Sequence, residues 1–202
     1  VAEMSARGIG HIRHLTEITA PTVGVVLNVG TAHLGEFGSR ENIAQAKGEL
    51  IEALPAAADG GVAVLNADDP FVASMAPRTQ AKVVYYSANR PQAADAQYYA
   101  TDIELDDVAR PSFTFHAPDV APMEIKLQVF GKHQVSNALA AAAAAIESGV
   151  EPALVARALS GHQTSSAHRM DVRTRHDGVT VIDDSYNANP DSMHAAIAAL
   201  AY

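Results

Sequence analysis

The stretch from Val23 to Leu54 constrains this chain most, because a run of β-branched residues passes through a short loop into an amphipathic helix. Val23-Gly-Val-Val-Leu-Asn-Val29 is apolar on both alternations, as in a parallel strand covered on both faces. Ser39 stands where an N-cap belongs, and Glu41 lies in the first turn beside the positive end of the helix dipole. The helical period then lines up Ile43, Leu50, Ile51 and Leu54 as one apolar stripe, and the same period puts Lys47 on it. A parallel sheet flanked by helices is expected, hence an α/β fold.

An inward lysine needs a reason. Taking an ammonium out of water costs several kcal/mol, comparable to the net stability of a domain, unless it is paired or loses its charge. Two readings stand. Lys47 lies at the edge of the stripe and snorkels to solvent, or it faces a site, where it binds phosphate or is carbamylated by carbon dioxide into a carboxylate-like metal ligand. His33, in the loop after the strand, would belong to the same site.

Further along, Gly60-Gly61 turns the chain into a second apolar strand, Val62 to Leu65, and Val83 to Ser87 reads as a third. Between them Asp69 is placed to cap a helix that Pro70 opens, so the aspartates of Asn66-Ala-Asp-Asp-Pro70 read as turn and cap residues. At the start, Val1 to Met4 reads as the end of a strand with Glu3 near its C-terminal edge, where ligands gather in open α/β sheets. From about residue 98 to 130 apolar and polar residues alternate, which predicts a small antiparallel β insert. An alanine-rich helix follows, with His133 and Asn137 four apart on its entering turn. His168-Arg-Met170 opens a hairpin turning at His176-Asp-Gly178, whose second strand ends in the polar loop Asp183-Asp-Ser-Tyr-Asn-Ala-Asn-Pro190.

Composition excludes several classes. The chain of 202 residues is 48% hydrophobic and carries a net charge of −9 without a basic cluster, which makes nucleic acid a poor partner. It has no cysteine, so neither a disulfide framework nor a thiolate zinc site can form. No apolar run reaches the ~20 residues of a membrane span, and a monomeric cytoplasmic protein is expected. No Gly-x-x-x-x-Gly-Lys-[Ser/Thr] loop occurs. The opening without methionine and the end at Tyr202 suggest a piece of a longer protein.

Taken in order, Glu3-Met4 with Ala6-Arg7, Asn28-Val-Gly-Thr-Ala-His33, Glu36-Phe-Gly-Ser39, Ile43-Ala-Gln-Ala-Lys-Gly-Glu49, Gly131-x-His133 with Asn137-Ala-Leu139, His168-Arg-Met170 and Asp183-Asp-Ser-Tyr-Asn-Ala-Asn-Pro-Asp-Ser-Met193 resemble the Mur ligases. The resemblance covers nearly the whole chain. It implies that residues 1–202 are the central ATP-binding domain, of P-loop-NTPase type, lacking its upstream P-loop part and flanked in the parent by N- and C-terminal domains. The implied reaction joins D-alanyl-D-alanine to UDP-N-acetylmuramoyl-tripeptide through an acyl phosphate, in peptidoglycan precursor synthesis.

The same resemblance implies the site. ATP and two magnesium ions are the expected cofactors, Glu3 binding one ion, with His33 and carbamylated Lys47 serving the second. Arg169 would meet the transferred phosphoryl group, Asn137 the adenine and Asp184 the ribose. His133, Tyr186, Asn187 and Asn189 would lie near the nucleotide and the reacting ends. Position 134 is Gln where many members have Asn, position 5 is Ser where glycine is common, and position 11 is His where an acidic residue is common. The isolated piece is expected to be inactive. A sister ligase, a folylpolyglutamate synthase and a non-catalytic nucleotide-binding domain are the alternatives.

Overall fold

The computed structural model of the chain describes residues 1–31, 34–89, 96–163, 168, 171–186, 188 and 190–200, with the side chains of 191 and 199 left aside. A six-stranded sheet runs in the order β1-β2-β3-β4-β5-β6. Strands β1 (Val23–Val26), β2 (Val62–Asn66), β3 (Lys82–Ser87) and β4 (Ala96–Leu105) pair in parallel, and β5 (Pro111–His116) and β6 (Met123–Lys126) continue the sheet antiparallel. The alternating segment near 98–130 is thus joined edge to edge to the parallel strands through β4 rather than forming a sheet of its own.

Helices cover both faces. On one side lie α1 (His11–Thr19), α2 (Leu34–Phe37), α3 (Arg40–Glu52) and α4 (Pro70–Ala73), around Ile43, Ala46, Ile51, Leu65 and Met75. On the other, α5 (His133–Glu147) and α6 (Pro152–Gly161) pack on Val64, Tyr86, Tyr98, Phe113 and Phe115. Every residue of β2 is buried, and successive side chains serve alternate layers: Val62 and Val64 one, Ala63 and Leu65 the other. The alanines of α5 let it lie close against the sheet, and Ala138, Ala140, Ala142 and Ala143 are all buried.

A separate hairpin, β7 (Asp171–Thr174) with β8 (Thr180–Asp183), precedes α7 (Pro190–Leu200). No described helix is long and apolar enough to cross a membrane.

The expected caps are in place. Ser39 accepts from the Asn42 amide at 3.2 Å, and Asp69 caps α4 with Pro70 in the first turn. The expected strand at Val1 to Met4 is absent: residues 1–6 are irregular and Val1 is fully exposed, so neither a sheet neighbour nor a buried face holds this segment extended.

Helix α3 departs from a one-stripe reading. Ile43 and Ile51 are buried as the period predicts, but Ala46, Gly48 and Glu49 are buried as well. Gly48 and Glu49 meet neighbours on a second side, because α1 packs along α3 and the 3-10 turn at Ala76–Arg78 crosses it, while Ala46 lies in the same core as Ile43 and Ile51. The Arg78 guanidinium donates to the carbonyls of Ala44 and Gln45 at 3.1 and 2.9 Å, and a Cβ on Gly48 would stand 1.9 Å from its Nη1. Glycine in mid-helix costs about 1 kcal/mol relative to alanine, and here it leaves room for that crossing. Glu49 is 1% exposed and accepts from the Gly10 and Arg13 amides at 2.6 and 3.0 Å. It thereby caps α1, whose own Gly10 has no side chain to do so.

Candidate functional site

Parallel strands bring their carboxyl ends to one edge, and the register pairs Val26 with Leu65 and Asn66 with Tyr86. The segments that leave this edge, residues 27–31, 66–69 and 87–89, are tied together by side chains. Asn66 donates to the Leu27 carbonyl at 2.8 Å, and the Tyr86 hydroxyl donates to the same oxygen at 3.3 Å. Asp68 accepts from the Ser87 hydroxyl at 2.7 Å and from the amides of Ala88 and Asn89 at 2.8 and 3.1 Å. Backbone groups that have left a ladder need such partners when water is excluded.

Lys47 belongs to this edge. Its ammonium donates to the Asn28 carbonyl at 2.7 Å, so the side chain reaches from α3 to the end of β1. The residue is half-buried, between the edge and inward positions that the period allowed. Loss of water holds its pKa below the ordinary lysine value, while the nearby Asp69 carboxylate acts in the opposite direction. Arg40, seven residues earlier on α3, donates through Nε and Nη2 to the Val29 carbonyl at 3.2 and 2.6 Å and lies 4.7 Å from the centre of the Phe71 ring. Asp69 receives the Val29 amide at 2.7 Å. The Leu27 to Val29 backbone is therefore gripped by five side chains, just ahead of Thr31.

The first turn of α5 borders the same edge, because the Tyr86 hydroxyl also interacts with Ser136. Gly131 precedes this turn with φ +97°, and a Cβ there would lie 2.7 Å from the His133 ring, so a residue with no side chain is required on both counts. Desolvation keeps His133 below the ordinary histidine range, and the Asp184 carboxylate opposes it, which places these two predicted residues within electrostatic reach. Asn137 donates to the Gln134 side chain at 3.1 Å, so the two amides pair along one helix face.

The segment after β8 folds locally. Asp183 accepts from the Ser185 amide and hydroxyl and contacts His168 Nδ1 at 2.7 Å, contacts that hold its pKa down to about 2. The Tyr186 amide donates to the His168 carbonyl, and its side chain is 63% exposed. Glu3 is exposed on the irregular opening segment. The predicted residues His33, Arg169, Asn187 and Asn189 lie outside the described residues. Among the described residues no three His, Asp or Glu side chains converge as a metal cluster.

Sequence reasoning passed over Asn66, Asp68, Tyr86 and Arg40 as site components. Their partners lie 11 to 59 residues away in the chain, beyond what local periodicity can display. Asp69 was placed correctly as a cap, but its second oxygen, turned to Val29, leaves no local pattern.

The family model described as Mur ligase middle domain matches residues 1–145. The chain belongs to the Mur ligase family. A second family model, Mur ligase, glutamate ligase domain, matches residues 168–202, which the sequence reading drew within the central domain. The UDP-N-acetylmuramoyl-tripeptide–D-alanyl-D-alanine ligase of Mycobacterium tuberculosis strain H37Rv is 56% identical across all of this chain, which spans 38% of that relative. A crystal structure of MurF from Acinetobacter baumannii superposes with a TM-score of 0.86 at 33% identity, covering 97% of this chain and 41% of that one. MurF from Thermotoga maritima, solved in complex with ADP, gives 0.81 at 30% identity over 98% of this chain and 43% of its own. The chain thus spans about two fifths of the length of these Mur ligases.

Proposed function

We propose that this chain is the nucleotide-handling part of an ATP-dependent amide ligase that joins D-alanyl-D-alanine to UDP-N-acetylmuramoyl-tripeptide. The observation that carries the reading is Lys47, held at the carboxyl edge of a parallel sheet on the loop that leads to His33. It gains support from the 56% identity to a ligase of that name across the whole chain. Within this reading residues 1–145 serve the nucleotide and residues 168–202 begin the unit that admits the acceptor.

The chemistry suits the residues. A carboxylate and a triphosphate repel each other, so transfer of the terminal phosphoryl group to the tripeptide carboxylate needs cations and in-line placement more than a protein nucleophile. The acceptor amine then adds to the acyl phosphate, and collapse of the tetrahedral adduct forms the amide and expels phosphate. Bound magnesium would neutralise phosphate charge, with Glu3, His33 and Lys47 as the residues to hold it. Lys47 fits a carbamate: its lowered pKa leaves more neutral amine to add carbon dioxide, and the carbamate nitrogen keeps one N–H for the Asn28 carbonyl. Asn137 and His133 at the start of α5, with Asp184 within electrostatic reach of His133, form the side for adenine and ribose. Tyr186, Asn187 and Asn189 belong to the loop near the reacting ends, and Arg169 to the phosphoryl group.

The test is phosphate release by the parent ligase with ATP, magnesium, UDP-N-acetylmuramoyl-tripeptide and either D-alanyl-D-alanine or single amino acids. Release with the dipeptide alone is expected. Release with a single amino acid would assign a sister ligase, and no release with any acceptor would overturn the catalytic reading.

A further inference from the structure

We propose that Asp69 is a positioning residue for the ligation reaction: its carboxylate locks the Val29 peptide against the start of α4, and so fixes the loop that meets Lys47 and leads on to Thr31. This inference rests on the ligase reading above.

A helix cap needs one oxygen, and Asp69 has two. Oδ1 receives the Phe71 and Val72 amides at 2.9 and 3.3 Å, which completes the cap. Oδ2 is left over for the cap and receives the Val29 amide at 2.7 Å, 40 residues away in the chain. Val29 is 0% exposed, so its N–H has no water to turn to if that oxygen is withdrawn. The other grips on this loop differ in kind. Lys47 and Arg40 hold the Asn28 and Val29 carbonyls with long side chains that can follow a shift of the backbone. Asp69 is short, and its own backbone is set by Pro70 and the α4 turn. It is therefore the stiff tie, and the flexible cations settle onto the loop that it places.

The two duties can be separated. Serine caps a helix but is too short to reach Val29 as well, and asparagine caps while turning its NH2 toward the Val29 N–H. Asp69→Ser and Asp69→Asn should therefore keep α4 and lose the tie. Amide hydrogen exchange in the full-length parent is expected to speed up at least tenfold at Val29 in both variants. Phe71, Val72 and the β2 residue Val64 should stay within threefold of the unsubstituted chain, which reports that the variants fold. In the parent ligase the same substitutions should lower kcat at least tenfold with the KM for ATP changed less than threefold. Unchanged exchange at Val29 in both variants overturns the proposal, as does faster exchange with undiminished kcat. If the unsubstituted ligase releases no phosphate with any acceptor, the ligase reading and the positioning role fall together, while active enzyme with fully active variants sinks the positioning role alone.

Discussion

The carboxyl edge of β1 to β3 and the antiparallel end of the same sheet are built by different means. At the edge, backbone groups of residues 27–29 are bonded by side chains from α3, β2, β3 and the loop before α4. At the other end, β4 to β6 are held by the ladder, by buried Tyr98, Phe113, Phe115 and Ile125, and by turns that close on themselves. Asp106 shows the local style, accepting from the Val108 and Arg110 amides at 3.1 and 2.8 Å, two and four residues on. Apolar packing tolerates small shifts because it is non-directional. A polar grip does not, since a hydrogen bond weakens steeply with distance and angle. The edge thus has the build of a place where atoms must be held in position, and the meander that of a place where surface must be buried.

Phe115 is 0% exposed and stacks with Tyr98 at 6.4 Å between centroids. Phe115→Ala should lower the unfolding free energy by about 3–5 kcal/mol in a urea titration, because α5 and α6 share this core with β2 and β3. A loss under about 1 kcal/mol would mean that the meander is not part of the common core.

Glu49→Ala comes next. Removing the carboxylate leaves the Gly10 and Arg13 amides without their acceptor, at a cost of about 2–3 kcal/mol in the same titration. Full exchange protection of those two amides in the variant would contradict the cap.

Gly48→Ala sharpens the contrast between local propensity and distant contact. Propensity alone predicts a gain of about 1 kcal/mol, whereas the new Cβ displaces Arg78 from two carbonyls and removes that gain. In an Arg78→Ala background the same change should stabilise by about 1 kcal/mol. A gain of equal size in both backgrounds, read from a double-mutant cycle, would show that Arg78 does not cross the helix.

Acid supplies a gentler probe. His133 has a native pKa below its unfolded value, so the unfolded state binds the proton first, and stability falls as pH drops through the ordinary histidine range toward the native pKa. Above that range the effect vanishes. The urea midpoint should therefore decline from pH 7.5 to 5.5 more steeply than in His133→Gln. In the hairpin unit, the Asp183 carboxyl should titrate near 2 by NMR, and its contribution to stability, present above the ordinary aspartate range, is lost as pH falls through about 2. A midpoint near 4 would remove the Ser185 and His168 contacts from the account.

These differences also explain what could be read from the chain beforehand. The Ser39 and Asp69 caps rest on contacts within a few residues, and the strands and the alternating segment show as patterns along single segments, which periodicity reports directly although the pairing of the parallel strands is long-range. The lysine on the α3 stripe marked a candidate site because it broke that periodicity. Glu49 and Gly48, the residues that make α3 two-sided, gave no such signal, since a glutamate is mostly exposed and a glycine has no side chain to mark a face. Asp68 looked like a turn residue and is one, while Asn66 ends β2, and their further partners after β1 and after β3 come together only once the sheet has formed. The strand expected at residues 1–4 failed for the same reason in reverse, because an extended pattern alone supplies no neighbour to pair with.

The most direct test of the account is Lys47→Arg in the full-length parent, assayed for the proposed phosphate release with ATP, magnesium, UDP-N-acetylmuramoyl-tripeptide and D-alanyl-D-alanine. Arginine keeps the positive charge and can donate to the Asn28 carbonyl, but it has no amine that carbon dioxide can carbamylate. A loss of turnover of about 100-fold or more (roughly 2.7 kcal/mol of transition-state stabilisation), with Val29 still protected from exchange, is the predicted result. Turnover equal to that of the unsubstituted protein would show that Lys47 serves only as a grip on the loop, and would contradict the proposed carbamylation.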